Sequence, residues 1–125
     1  NRRCNSIEEC YEFMLAYAAQ GLASDAHNGQ VREFLRRCDA ALTGLAAFLT
    51  GFIAKTGADT SPYLAFMAVI ERDARAAQAA VQMVLAQASI SSQLVDNLNA
   101  SIHLRALLTD LFLIDEVLKT HRKHV

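Results

Sequence analysis

Thr56-Gly57-Ala58-Asp59-Thr60-Ser61-Pro62 contains the only proline of the chain and decides how everything around it is parsed. Gly57 suits a left-handed helix C-cap, where a side chain would be strained. Ser61 offers a capping hydroxyl, and Pro62 then falls in a first helical turn, where its missing N–H costs nothing. The stretch therefore reads as a turn between two helices. Upstream, Val31, Leu35, Cys38, Leu42, Leu45, Leu49, Phe52 and Ile53 recur at helical spacing and predict a helix over 29–56. Arg32, Glu33, Arg36, Arg37 and Lys55 occupy its opposite side. Downstream the pattern predicts a helix over 61–88, its wet face made by Glu71, Arg75, Gln78 and Gln82 with Glu71–Arg75 as an i,i+4 pair.

Two further helices complete the reading. The first is predicted over 6–23, opened by a Ser6-x-x-Glu9 capping box and striped by Ile7, Tyr11, Met14, Tyr17, Ala18 and Gly21. A turn at Ser24 to Gly29 follows, in which Asp25 or Asn28 can cap the next helix. The last is predicted over 93–121, after a Ser89-Ile90-Ser91-Ser92 break, and ends basic at His121, Arg122, Lys123 and His124, which complements the helix dipole. No alternating β-branched run and no hairpin turn between apolar segments occurs. Short connections force antiparallel neighbours, so the expected architecture is an all-α, up-down-up-down four-helix bundle occupying 1–125 as one domain.

The composition narrows the function classes. With 125 residues, 53% of them hydrophobic, the chain can bury a core without disulfide or metal staples. Twelve basic side chains against thirteen acidic argue against a nucleic-acid binder. Arg32, Arg36 and Arg37, with Arg2 and Arg3, form only a short basic patch interrupted by Glu33 and Asp39. No stretch is an uninterrupted membrane span, and the N-terminus lacks an apolar signal core. The absence of an initiator Met suggests a processed product or a domain of a longer protein. Cys4, Cys10 and Cys38 form no C-x-x-C pair, which predicts reduced, mostly buried thiols and a cytoplasmic location; a Cys10–Cys38 bridge is the alternative.

The fourth helix departs from simple amphipathicity. Leu104, Leu107, Leu111, Ile114, Val117 and Leu118 define its apolar stripe, yet Asp96, His103 and Asp110 fall inside that stripe at intervals of seven, and Asn99 at its edge. The same turning places Asp73 of the third helix among Phe66, Val69, Ala77, Ala80 and Val84. A buried carboxylate must be paired, neutralised or coordinated. Asp73, Asp96, His103 and Asp110 are thus candidates for an interior site holding a small polar ligand or a divalent metal; pairing with Arg72, Arg75 or Arg105, or a place at a bundle end open to water, is the structural alternative. The Glu-x-x-His signature of di-iron bundles is missing. Leu98, Leu108 and Phe112 lie on the supposed solvent side, which predicts a homodimer packed through the fourth helix, or a contact with another helical protein.

Catalytic signatures are missing. There is no P-loop, no G-x-G-x-x-G and no H-E-x-x-H, and no motif requires a cofactor. Ser24, Asp25 and His27 have the residue types of a triad but share one short turn, whereas a triad converges from separate elements. His121 and His124, one turn apart, could share a metal. His103-Leu104-Arg105-Ala106 is a poor match to the His-Lys-Gly run of phosphotransfer bundles. The expected function is a non-catalytic interaction or regulatory module that self-associates; the alternative is a ligand- or metal-binding bundle using Asp73, His103 and Asp110.

Overall fold

A computed structural model describes residues 2–26, 29–57 and 59–122, with side chains as far as residue 119. Described segments are all-helical: α1 (Arg2–Ala19), α2 (Gln30–Leu42), α3 (Leu45–Lys55), α4 (Leu64–Leu85), α5 (Ser92–Ala100) and α6 (His103–Arg122), with a 3-10 turn at Ser61–Tyr63. No single helix among them is long and apolar enough to cross a membrane.

On either side of residue 58, the described residues of the 56–62 stretch follow their expected roles only in part. Gly57 takes φ +81°, in the left-handed region. Pro62 lies in the first turn, but Ser61 is not the cap: it sits inside the 3-10 turn, and the Asp59 carboxylate accepts its amide at 3.0 Å. Helix α1 starts at Arg2, so Ser6 lies within it and the expected capping box does not form. Of its expected stripe Ile7, Met14 and Tyr17 reach the core, joined by Cys10, whereas Tyr11 and Ala18 are half-buried and Gly21 lies exposed beyond the helix.

The two longest expected helices are each broken. The first break falls at Thr43-Gly44, where Gly44 adopts φ +66°, and α2 and α3 diverge by 53°. Asp39, Thr43 and Gln78 tie α2 to α4 beside that bend: Gln78 Nε2 donates to Asp39 Oδ1 at 2.9 Å and to Thr43 Oγ1 at 2.9 Å, and Gln82 Nε2 reaches Asp39 Oδ1 at 3.0 Å. Two glutamines expected on a wet face therefore join helices. The Glu71–Arg75 pair forms as expected. The second break falls at Ser101-Ile102, where Ile102 takes φ +63°. A β-branched residue there is strained by about 1–3 kcal/mol, so the surrounding packing must impose the bend.

Helix α1 packs on α2 and α5, while α4 packs on α2, α3 and α6. Cys10 and Cys38 lie against each other in the shared core, fully buried and free. The contact with Cys10, reinforced by burial, pushes the Cys38 thiol strongly up, so Cys38 stays protonated and inert.

Candidate functional site

Of the four polar residues expected inside, the structure brings two together. Asp73 of α4 and Asp110 of α6 are half-buried and share a hydrogen bond between their carboxyl groups. Such a pair holds one proton, because two adjacent carboxylates cannot both ionise cheaply. Burial is the main cause that pushes Asp110 up to about 7; the hydrogen bond and charge of Asp73 add to it, and Arg72 opposes it. Arg72 lies 3.8 Å from Asp73, its neighbour in sequence. Asp110 Oδ2 is shut off from solvent with no hydrogen-bond partner among the described residues, as are both side-chain polar atoms of Asn99.

Asp96 and His103 do not join this pair; both are exposed. For Asp96 the reason is the break at Ile102; His103 shares α6 with Asp110 and is exposed because it is the first residue of that helix. A single helix over 93–121 would keep Asp96, His103 and Asp110 on one face, but the bend resets the phase between α5 and α6. Among the described residues no group of three or more His, Cys, Asp or Glu could hold a metal ion. His27, Asn28, Lys123, His124 and Val125, with the side chain of His121, lie outside the described residues.

The apolar residues of α5 and α6 are also redistributed. Leu98 and Leu108 are core residues, only 7% and 4% exposed, and so cannot be the expected surface of a dimer. Leu98 points inward because α5 turns across α1, and Leu108 because α6 packs between α1 and α4. Phe112 alone of the three is exposed, at 56%. It faces Leu15 of α1, 49% exposed, across a groove of about 340 Å3 that also includes Tyr11, Leu108 and Thr109. Glu8 and Glu12 border the groove on the α1 side and Arg105 on the α6 side, and no ion pair joins them.

A third polar constellation went unread in the sequence. Asp25 Oδ2 accepts Arg32 Nε at 2.6 Å, and its Oδ1 accepts the Ile90 amide at 2.8 Å. Arg32 also donates to the carbonyls of Leu85 and Gln87. Tyr17 Oη donates to the Ile90 carbonyl at 2.5 Å, and Ser92 Oγ to the Tyr17 carbonyl at 2.6 Å. Their partners are mostly backbone atoms, so the network fastens the 85–92 connection to α1 and α2 and leaves no reactive group free. Asp25 is thereby committed to a structural pair and is no part of a triad with Ser24.

No family model, curated protein or solved structure matches this chain.

Proposed function

We propose that the chain is a non-catalytic helical interaction module that self-associates through its α1/α6 face. Its helices would act as four rods, α1, α2–α3, α4 and α5–α6, of an antiparallel bundle in the reducing cytoplasm, where three free thiols persist. One observation carries this reading: exposed Phe112 and Leu15 flank a groove with unpaired acids on one wall and an unpaired base on the other. A two-fold contact requires a surface complementary to itself. Across such an axis Phe112 can enter the partner's groove, and Arg105 can meet the partner's acidic wall. This replaces an interface built on Leu98 and Leu108 with one built on Phe112.

Light scattering at micromolar concentration tests it. The unmutated chain is expected as a dimer, Phe112→Glu as a folded monomer, and Arg105→Glu as a weakened dimer restored by adding Glu12→Arg. A monomeric unmutated chain overturns the proposal.

A second reading, a small-ligand or metal site within the bundle, is favoured by the buried, unpartnered Asp110 Oδ2. It now involves Asp73 and Asp110 without His103. Thermal shift against divalent cations and small amines, repeated with Asp110→Asn, tests it; no shift, or one that survives the substitution, counts against it.

A further inference from the structure

At the end of the molecule opposite the 85–92 connection, α3 packs on α4 and leaves a cleft between itself, α6 and the start of α1. Its volume is about 520 Å3, within the range of small-molecule sites, roughly 300–1,000 Å3. The floor is greasy: Leu49 of α3 and Leu111, Ile114 and Leu118 of α6 are all core residues that reach the cleft. Phe48 and Phe52 form the α3 wall, each 41% exposed. Apolar side chains of this size left open to water in a concave site would gain by being covered.

The mouth is cationic. Arg2 and Arg3, both in the first turn of α1, border the opening. Arg3 is held in place: its guanidinium lies 4.8 Å above the Phe48 ring, and its Nη1 donates to the Thr43 carbonyl at the α2–α3 bend. The charge is thus fixed directly over the apolar wall. Asp115 is the one acid on the lining, and Lys119 lies 3.7 Å from it, so the rim keeps a positive excess. An apolar floor beneath an anchored Arg3, with Arg2 beside it at the rim, matches one kind of molecule, an anionic head on a hydrocarbon tail. A fixed guanidinium fork takes a carboxylate well because little ordering remains to be done on binding.

We propose that this cleft binds a free, single-chain fatty acid, its carboxylate at Arg2 and Arg3 and its acyl chain along Phe52, Leu111, Ile114 and Leu118. The enclosure by three helices fits one chain better than a lipid surface.

Fluorescence of 11-(dansylamino)undecanoic acid, displaced by dodecanoate below its micelle concentration, tests the idea directly. Saturable binding is expected, with dodecanoate displacing the probe at least tenfold better than dodecanol. Arg2→Glu with Arg3→Glu should remove that preference, and Phe52→Glu, which changes a half-exposed side chain, should abolish binding while circular dichroism stays helical. A readout on the unmutated chain supports these variants. Cys4 lines the cleft whereas Cys10 and Cys38 are fully buried, so N-ethylmaleimide should label Cys4 first and saturating dodecanoate should slow that labelling severalfold. The proposal is overturned by absent saturation, by equal competition from dodecanol, or by Cys4 labelling indifferent to dodecanoate. Cosedimentation with phosphatidylglycerol vesicles without uptake of free dodecanoate would overturn it in favour of a membrane surface.

Discussion

Asp25 and Arg32 form a 2.6 Å ion pair, and the other carboxylate oxygen of Asp25 accepts the Ile90 amide. One side chain therefore joins the start of α2 to the connection between α4 and α5. Asp25→Ala leaves both the Arg32 guanidinium and the Ile90 amide short of a partner, and is expected to cost about 2 kcal/mol. Urea denaturation should show a lower midpoint with an unchanged slope.

The same carboxylate makes the fold acid-sensitive. The Ile90 amide, then Arg32, hold Asp25 below the usual carboxylate range. A lowered value in the folded state adds stability above the unfolded value near 4, and that stability is lost as pH falls through the folded value. Stability should therefore drop below about pH 4, and less steeply in Asp25→Ala.

Asp110 acts in the opposite sense at higher pH. Its carboxyl is raised to about 7 by burial and by Asp73, so between about pH 4 and pH 7 the folded chain binds more protons than the unfolded one and stability falls as pH rises. Melting temperature is expected to be roughly 2–5 °C higher at pH 5 than at pH 8. Asp110→Asn should flatten that difference. A melting temperature that does not fall from pH 5 to pH 8 contradicts the shared-proton pair.

Ile102 holds φ +63° with its side chain in solvent. Ile102→Gly removes the strain and little packing, so a gain of about 1 kcal/mol is expected, partly offset by the added freedom of the unfolded chain. Calorimetry should record a melting temperature raised by about 3 °C.

Leu98→Ala and Leu108→Ala should each cost about 2–4 kcal/mol by opening cavities. Neither should change the association state at a concentration where both remain folded. Phe112→Glu should do the reverse, and light scattering beside thermal melts separates the two behaviours.

Much of the helical pattern was legible because it is local. The stripe Val31, Leu35, Cys38, Leu42, Leu45, Leu49 and Ile53 is buried as its spacing requires, Phe52 being the expected member left 41% exposed, and Gly57 with Pro62 marks its turn. Asp73 and Asp110 were also identifiable as polar residues on apolar faces. Asp25 was read as a cap or as part of a poor triad, never as a tie, because Ile90 is brought to it by the chain's return and not by spacing.

The sequence alone determined helix type and most inward faces, since a residue's angular position follows from its neighbours within a few turns. Tertiary packing decided where helices break. Gly44 permits its bend, but Ile102 opposes one and is overruled. The break resets the phase between α5 and α6, so Asp96 reaches solvent while Leu98 is buried; within α6, His103 is exposed as the first residue and Leu108 is buried because α6 packs on α1 as well as α4. Burial depends on which helices lie opposite, and only the folded chain supplies them.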